Sequence, residues 1–356
     1  MPHMIALSGG VDSSVALYLS KQKYGEGLCG VTLSLGGGSS ALGESDLKNI
    51  SDAQSVCVLQ NTQHCAVDAS EEFEKTVKEY FARAYLRGET PNPCVICNSG
   101  IKFGLLMDYA DARGYDKIIT GHYARLVEKD GFIYIKKAAD VTKDQSYVLA
   151  MLTQSQLKRA EFPLGEYTKA EIRDIAEREG FVNARRKDSQ DICFIPDGDY
   201  VKFITEFCGA VPEAGNYVDE NGKILGKHKG HWCYTIGQRK GLGISMGKHV
   251  FVLSKDAESN RVVLGDEEGL FKSRVDIKGL HFPSSPDVFE NDSTCRAKLR
   301  YSAREADAVF VRTGETEGYL EFEVPQRAPT HGQFAVMYRD DCVIAAGTIS
   351  RLLPTE

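Results

Sequence analysis

The sequence lacks the segments that hold a protein in a membrane or direct it out of the cell. None of its apolar runs approaches the roughly 20 consecutive apolar residues that a spanning helix needs. The chain enters an apolar run, Met4 to Leu7, without the charged segment and longer apolar stretch of a secretory signal. We therefore expect a cytoplasmic protein with no membrane partner.

An excess of positive charge is also absent, because the formal net charge is −7. This charge argues against a uniformly basic nucleic-acid surface. Residues 221–250, however, contain no acidic residue, and basic and aromatic side chains share this window: Lys223, Lys227, His228, Lys229, His231, Trp232, Tyr234, Arg239, Lys240, Lys248 and His249. Such a stretch on an acidic protein is typical of a surface that binds a phosphate backbone, although a solvated loop can have the same composition.

A disulfide scaffold is not expected from the ten cysteines, because the chain is long and shows no secretory signal. Thiols, metal binding or catalysis are the alternatives. Six cysteines occur singly in apolar or strand-like surroundings and are predicted to be small core residues: Cys29, Cys57, Cys208, Cys233, Cys295 and Cys342.

The length of 356 residues exceeds what one hydrophobic core usually organises, which predicts two or three domains. Residues 1–205 alternate strand-like runs with amphipathic helices, and this order predicts an α/β domain with a doubly wound parallel sheet. The ligand of such a sheet lies outside the carboxyl ends of its strands. Short alternating runs divided by Gly, Asn and Asp then predict a small β-rich domain over 206–275 and a β-barrel-like domain over 276–356.

Periodicity also predicts individual elements of the first domain. These are strands over 28–35, 63–67 and 116–120 and helices over 46–58, 70–86 and 99–113. Asp130-Gly131 predicts the turn of a β-hairpin, and Thr168 to Glu171 predicts a capping box at a helix start. The glycine-rich residues 36–45 are predicted to form a mobile loop near the ligand.

The segment from Ser8 to Ser14, Ser-Gly-Gly-Val-Asp-Ser-Ser, lies between the first apolar run and an apparent helix. Its glycines let backbone N–H groups converge on a phosphate, and the helix start adds partial positive charge. No lysine follows the glycines, which excludes the lysine-bearing P-loop of kinases and GTPases. The segment resembles the pyrophosphate loop of ATP-dependent adenylating enzymes, and Asp12 is a candidate ligand for Mg²⁺. A simple glycine turn is the alternative.

A second candidate site is the segment from Thr90 to Asn98, in which two prolines precede Cys94 and Cys97. An extended loop that ends at a helix start would place Cys97 at the positive end of a helix dipole, where the pKa of a thiol falls. The Cys-x-x-Cys spacing also fits half of a zinc site, a redox pair or core packing. Cys193, in the run from Lys187 to Ile195, is a third candidate sulfur that alone would pass for a buried residue.

Several ordered segments resemble the bacterial tRNA-specific 2-thiouridylases, which place sulfur on the wobble uridine of certain tRNAs. They are Ser8 to Ser14, Thr90 to Asn98, Thr120 to Arg125, Lys143 to Tyr147, Asp188 to Cys193, Tyr234 to Gly243, Leu299 to Tyr301 and Gly332 to Val336. This resemblance extends along nearly the whole chain. It implies a doubly wound parallel sheet of the adenine nucleotide alpha hydrolase (pyrophosphate-loop) type, followed by two smaller β-rich domains.

The resemblance implies that ATP adenylates the 2-carbonyl oxygen of the uridine, with Mg²⁺ stabilising the developing charge, and that a persulfide on Cys193 then attacks while Cys97 resolves the bond as a disulfide. It assigns nucleotide binding to Ala6, Leu7, Ser8, Gly9, Gly10, Val11, Asp12, Ser13, Leu33 and Gly121. It assigns tRNA contacts to Asn92, Pro93, Cys94, His122, Lys143, Asp144, Gln145, Arg300, Tyr301 and Gln333. It also implies a sulfur donor protein, either a cysteine desulfurase or a relay protein.

Cys94 departs from the best-described form of that family, which has an aspartate at this position. A thiol is a weak substitute for a carboxylate base. If the fold brings Cys94, Cys97 and Cys193 together, three thiolates would leave one iron of a [4Fe–4S] cluster free to bind hydrosulfide. The cluster route and the persulfide route both remain open on the sequence.

Two other functions share parts of these patterns. An adenylating ligase or amidotransferase would use the same phosphate loop but would leave the three cysteines unexplained. A non-catalytic nucleotide-binding or RNA-binding module would use the cysteines to hold a structural metal.

Overall fold

A computed structural model describes residues 2–36, 44–186, 192–285, 287–289 and 293–350. The loop predicted over 36–45 lies outside the described residues except at its ends, and so does the run from Lys187 to Asp191 that precedes Cys193. The described strands form three sheets. No helix in these ranges combines the length and the apolar composition that a membrane crossing requires.

The first sheet of the described chain contains five parallel strands in the order β3-β2-β1-β4-β7. Their bounds are β1 His3–Ala6, β2 Leu28–Ser34, β3 Gln63–Asp68, β4 Ile118–Thr120 and β7 Ala160–Glu161. Met4 and Ile5 are fully buried in two separate apolar clusters, because both faces of a parallel sheet are covered. The strand order reverses between β1 and β4, so the ligand crevice opens at their carboxyl ends. The three strands predicted after β1 are confirmed.

The helices of the described residues surround this sheet or follow it. Their bounds are α1 Val11–Tyr24, α2 Glu44–Leu59, α3 Ser70–Phe73, α4 Glu79–Leu86, α5 Pro93–Ile96, α6 Leu106–Asp111, α7 Ser146–Leu149, α8 Gln154–Arg159, α9 Lys169–Arg178 and α10 Tyr200–Cys208. π-helical segments connect α3 to α4 over Glu74–Lys78 and α5 to α6 over Cys97–Leu105. The predicted capping box is confirmed, since Thr168 Oγ1 and the Glu171 carboxylate each accept the other residue's backbone N–H.

The helix predicted over 99–113 begins earlier, at Pro93. Asn92 is its N-cap, because the Asn92 side chain accepts the backbone N–H of Cys94 at 3.1 Å. Proline suits the first helical position, where its missing N–H costs no intrahelical bond. The two prolines therefore start the helix four residues before Cys97, and the prediction that Cys97 itself lies at a helix start is wrong.

The second sheet of the described chain has the strand order β10-β11-β8-β9. Its strands are β8 Gly215–Val218, β9 Ile224–His228, β10 Phe251–Asp256 and β11 Arg261–Gly265, with short 3₁₀ turns at His231–Cys233 and Glu267–Leu270. Tyr217 and Val252 lie in its small apolar core. The preceding helix α10 ends at Cys208, which is exposed, so the prediction of a core position is wrong for this cysteine.

The third sheet has the order β12-β15-β14-β13-β16-β17-β6-β5, and β12 also pairs with β17. Its strands are β5 Ala124–Lys129, β6 Phe132–Lys137, β12 Phe271–His281, β13 Thr294–Lys298, β14 Ala306–Arg312, β15 Glu317–Arg327, β16 Phe334–Arg339 and β17 Cys342–Ile349. The six strands from β12 to β17 therefore close into a barrel. The hairpin predicted at Asp130-Gly131 is confirmed, and it joins the barrel through the pairing of Lys136 with Cys342.

Lys137 of the hairpin forms ion pairs with two carboxylates of the barrel region. Its ammonium lies 2.8 Å from the Glu305 carboxylate and 3.2 Å from that of Asp341, while only 10% of its side chain is exposed. We expect Lys137→Met to lower the free energy of unfolding by about 2 kcal/mol, because the half-buried Glu305 carboxylate would keep only the more distant Arg296, at 3.6 Å, as a partner. The loss is smaller than that of a fully buried pair. Urea unfolding measures this, and Lys158→Met, at an exposed lysine, is the control. Equal stability of both variants would contradict the expectation.

Candidate active site

The loop from Ser8 to Gly10 leaves the carboxyl end of β1 and leads into α1, at the crevice between β1 and β4. Gly9 has a φ of 70°, and a Cβ there would lie 2.7 Å from the backbone oxygen of Asn49, so only glycine fits. The Ser13 hydroxyl donates to the Gly10 oxygen at 3.0 Å and accepts the Ser8 N–H at 3.1 Å. The loop is thereby fixed at the first turn of α1, whose N–H groups can bind a phosphate.

The other residues assigned to nucleotide binding surround the same crevice. Ala6 ends β1, Leu7 follows it, and Val11 and Asp12 begin α1. Leu33 lies beside the last residue of β2, and Gly121 directly follows β4. A Cβ on Gly121 would lie 2.9 Å from the backbone nitrogen of Ser13. The end of β4 therefore contacts the phosphate loop, as the switch point requires.

The sequence predicts that Asp12 binds Mg²⁺, but its carboxylate pairs with Lys169 instead. Its two carboxylate oxygens lie 2.7 and 2.8 Å from the ammonium of Lys169, and one of them accepts the Tyr123 hydroxyl at 2.7 Å. A carboxylate engaged in this way does not offer a free metal ligand, so Asp12 as placed does not fit the ion. Lys169, at the start of α9, instead supplies beside the loop the positive charge that the Ser8–Ser14 segment lacks.

Two further residues, which the sequence analysis did not identify as site residues, form hydrogen bonds to the phosphate loop. Asn183 donates to the Gly9 oxygen at 2.8 Å and to the Ser14 hydroxyl at 2.9 Å. Arg186 donates to the same Gly9 oxygen at 3.2 Å and forms an ion pair with Asp52 at 3.2 Å. Residues 183–186 are therefore attached to the phosphate loop.

His122 follows Gly121 after β4, and its ring lies near Phe103 of the segment Cys97–Leu105. Its Nδ1 is 2.7 Å from Thr120 Oγ1, and its ring lies among Phe103 and Phe162. Burial, helped by the charge of Lys102, lowers the pKa of His122 well below its usual value. The ring is therefore neutral at neutral pH and can donate or accept a hydrogen bond without carrying charge.

Cys94 and Cys97 lie on consecutive turns of the helix that starts at Pro93. Cys94 is exposed and Cys97 is buried. Burial raises the pKa of both thiols, and the charge of Lys102 opposes this rise. The predicted decrease of the Cys97 pKa is therefore wrong, because the thiol lies inside a helix and in the apolar cluster with Phe73 instead of at a helix end.

Cys193 is brought to this helix by its neighbour Phe194. The Phe194 ring packs edge-on against Phe73, in the cluster that contains Cys97, at 5.7 Å between centroids. It also packs edge-on against Phe81 of a neighbouring cluster at 5.4 Å. Burial, followed by the charges of Cys97 and Cys94, raises the pKa of Cys193 to about 12. The Cys193 residue still contacts solvent, so the thiol lies in a recess that is open on one side. The structure thus brings the three candidate sulfurs together.

Among the described residues, no group of three or more His, Cys, Asp or Glu side chains is arranged to hold a metal ion. The described residues therefore show no site for a single metal ion at the three thiols. Cluster binding stays a prediction, and no chemical step is derived through it.

Several of the residues assigned to tRNA contacts are engaged within the protein. Asp144 is buried and accepts the N–H groups of Ala138 and Ser146, and Gln145 accepts the Tyr123 N–H. Asn92 caps α5, and Pro93 is buried. Arg300 donates to the Ala328 oxygen and to the Thr330 hydroxyl, and Gln333 donates to the Thr90 oxygen.

Tyr301 and Lys143 have side-chain surface that is open to solvent. Tyr301 is 41% exposed, and Cys94 is among the groups whose charge acts on its hydroxyl. Lys143 is half-exposed. An exposed aromatic ring beside the cysteine recess is a suitable platform for an unstacked base.

Comparison with known proteins finds matches along the whole chain. Residues 2–197 match the family model described as the tRNA methyl transferase HUP domain, residues 202–266 the tRNA methyl transferase PRC-barrel domain, and residues 274–349 the aminomethyltransferase beta-barrel domain. The chain is 42% identical over 352 residues to the tRNA-specific 2-thiouridylase MnmA of Clostridium acetobutylicum, covering 97% of this chain and 98% of that protein. It is 41% identical over 362 residues to the protein of the same name from Carboxydothermus hydrogenoformans, covering 98% of each.

Among solved structures, the chain is similar to the U34-tRNA thiolase NcsA from Methanococcus maripaludis with its [4Fe-4S] cluster. The two are 17% identical, with a TM-score of 0.36 and coverage of 58% of this chain and 66% of that chain. A likeness of this size carries no argument about the site.

Proposed function

The chain belongs to the tRNA-specific 2-thiouridylase family, and from this membership we propose that it uses ATP to replace the 2-oxygen of the wobble uridine in tRNA with sulfur. One observation carries the proposal beyond the family resemblance. Cys97 and Cys193 are far apart in the sequence, yet Phe194, the neighbour of Cys193, packs against the apolar cluster that contains Cys97, and the charge of Cys97 helps to raise the pKa of Cys193. A ligase, an amidotransferase or a structural binding module gives no reason for this arrangement.

The first step is adenylation, because a carbonyl oxygen is a poor leaving group. The uridine 2-oxygen attacks the α-phosphorus of ATP, its bond to AMP forms, and the bond to pyrophosphate breaks. In this proposal the backbone N–H groups of the Gly9-Gly10 turn and of the first turn of α1 receive the pyrophosphate. Lys169 lies beside them with the positive charge that this departure requires.

The second step transfers the sulfur. The outer sulfur of a Cys193 persulfide attacks C2 of the activated uridine, and AMP leaves with the oxygen. The Cys97 thiolate then attacks Cys193 Sγ, which forms a Cys97–Cys193 disulfide and leaves the transferred sulfur on the base. A sulfur donor protein must load the next persulfide, and a thiol reductant must first reopen the disulfide.

Incubation of the protein with unmodified tRNA, ATP, a reductant and a persulfide donor tests the proposal. Mass analysis of the digested nucleosides should detect 2-thiouridine, with one pyrophosphate released for each sulfur inserted. Pyrophosphate release without thiolated nucleoside, but with a ligated or aminated product, would favour the rival adenylating enzymes. Absence of both reactions would favour a binding module.

The basic stretch over 221–250 is proposed as a surface for the tRNA backbone. Arg239 and Lys240 are exposed, and neither pairs with a carboxylate in the described part of the chain. Lys248 differs, because Asp266 lies 2.7 Å from its ammonium. The first two side chains are therefore available to phosphates.

We expect Arg239→Glu with Lys240→Glu to weaken tRNA binding and to reduce the slope of log K against log salt by about 2, roughly one for each lost phosphate contact. Filter binding over a salt series measures this slope. Lys248→Gln is the matched control with a small expected effect, because Asp266 already neutralises that lysine. Unchanged binding in the double variant would remove the tRNA role of these residues.

A further inference from the structure

The two carbonyl groups of the Gly9-Gly10 turn are both engaged by side chains. The Gly9 oxygen accepts a hydrogen bond from the Asn183 amide at 2.8 Å. The Gly10 oxygen accepts the hydroxyls of Ser13 at 3.0 Å and Ser14 at 3.1 Å. The same Asn183 nitrogen donates a second hydrogen bond to the Ser14 hydroxyl at 2.9 Å. One amide group therefore fixes both carbonyls, the first directly and the second through Ser14.

The orientation of the Asn183 amide follows from its partners. A backbone carbonyl only accepts hydrogen bonds, so the group that faces Gly9 must be the NH₂ group of the amide. The residue is 3% exposed, and its side-chain oxygen has no hydrogen-bond partner in the described part of the chain. Because a buried acceptor without a partner lowers stability, an apolar side chain of similar size would suit the packing equally well. The distinctive contribution of Asn183 is therefore its two donors.

The direction of the two carbonyls matters for a loop that binds an anion. A carbonyl oxygen carries partial negative charge and repels a phosphate oxygen, whereas the N–H groups at the start of α1 attract it. Gly9 has a φ of 70° and no side chain that would limit rotation of its peptide groups. Donors behind the loop are needed to keep the oxygens on the side opposite the ligand.

Arg186 is a second donor to the Gly9 oxygen, but it does not duplicate the role of Asn183. Its guanidinium lies 3.2 Å from that oxygen and also binds Asp52 at 3.2 Å and Asn49 at 2.9 Å. These contacts connect Gly9 to α2 and leave the Gly10 carbonyl untouched. Among the described residues outside the loop and α1, Asn183 is the one whose side chain controls both carbonyls.

We propose that Asn183 is a positioning residue for the adenylation step, which keeps both carbonyls of the Gly9-Gly10 turn directed away from the pyrophosphate part of ATP. The inference deepens the proposed function and rests on its ATP-binding step. Asn183 takes no part in bond formation, because it acts through the two glycine peptides. Its loss should therefore weaken the binding of a ligand that carries pyrophosphate and spare the binding of the nucleoside monophosphate.

Calorimetric titration of the full-length protein with ATP and with AMP, in the absence of tRNA, tests the inference. In Asn183→Leu we expect the dissociation constant for ATP to rise about tenfold, the size of one lost hydrogen bond in a fixed site, and that for AMP to stay the same. The urea midpoint should stay close to the original one, since the leucine also removes the unpaired oxygen. Asn183→Asp keeps the shape but offers no donor when ionised, so it should lose at least as much ATP affinity.

Asn216→Leu is the matched control for these variants. The Asn216 side-chain oxygen is also buried without a partner in the described chain, but the residue lies in β8 of the second sheet. This variant should bind ATP and AMP like the original protein. Unchanged ATP binding in Asn183→Leu, or an equal loss of ATP and AMP affinity, would overturn the inference. Asn183→Asp decides by the same two criteria if the leucine variant does not fold.

The titrations do not depend on whether the protein modifies tRNA, so the two proposals can fail separately. If the original protein forms no 2-thiouridine but Asn183→Leu selectively loses ATP affinity, the proposed function fails and the positioning role stands. If 2-thiouridine forms and Asn183→Leu binds ATP and AMP like the original protein, the function stands and the inference about Asn183 is overturned.

Discussion

A Cys193→Ser variant is expected to lose tRNA thiolation by a factor of roughly 10³ or more, because a hydroxyl cannot carry the persulfide that attacks the activated uridine. Pyrophosphate release that depends on both ATP and tRNA should continue for the first turnover, since the phosphate loop and Lys169 are unchanged. Mass analysis of nucleosides and a pyrophosphate assay on the same samples measure the two steps.

Cys208→Ser is the matched control for this experiment. Cys208 is also an exposed thiol, but it lies at the end of α10 and outside the recess. This variant should retain full thiolation. Loss of the folded state in Cys193→Ser, seen by circular dichroism, would support a structural role for that cysteine, and full thiolation by the variant would contradict the persulfide step.

The parallel sheet and its ligand crevice were predictable from the sequence because they depend on local patterns. Apolar runs of four to seven residues, glycine turns and a capping box specify β1, β2 and α9 within one or two residues. The position of Gly9-Gly10 after β1 and of Gly121 after β4 then follows from the reversal of strand order. The family resemblance assigned Gly121 and Ser13 to one nucleotide site, but it did not predict that the two residues are in contact.

The charged part of the site could not be predicted in the same way, because it is assembled from distant segments. The capping box at Thr168 indicates where α9 begins, but no local pattern indicates that its first residue, Lys169, pairs with Asp12. Asn183 and Arg186 reach Gly9 across more than 170 residues of chain. A polar or charged side chain can occupy many positions on a protein surface, whereas an apolar run has few positions in which it is buried.

The environment of Cys97 shows a different limit of sequence interpretation. The two prolines were predicted to form an extended loop that ends at a helix start near Cys97, yet the helix begins at Pro93 itself. The π-helical segment after it changes which side chains share a face. Cys97 therefore lies inside a helix, where burial raises its pKa, and the error in that pKa comes from the position of the helix start.

Lys169→Met is expected to reduce tRNA-dependent pyrophosphate release by about 10²–10³-fold, and thiolation with it, because the leaving pyrophosphate loses the cation beside the loop. Cys193→Ser should behave differently, since that variant should still release pyrophosphate in the adenylation step. Lys21→Met is the matched control: Lys21 also forms an ion pair, with Glu26 at 3.1 Å, but near the opposite end of α1.

A second variant distinguishes two roles for Lys169. If the lysine only neutralises Asp12, then Asp12→Asn combined with Lys169→Met should restore pyrophosphate release, because no unpaired carboxylate remains beside the loop. If its charge acts on the phosphates themselves, the double variant should stay as slow as Lys169→Met alone. We expect the second result, because the Lys169 ammonium lies at the first turn of α1, where the loop N–H groups converge and the departing charge develops.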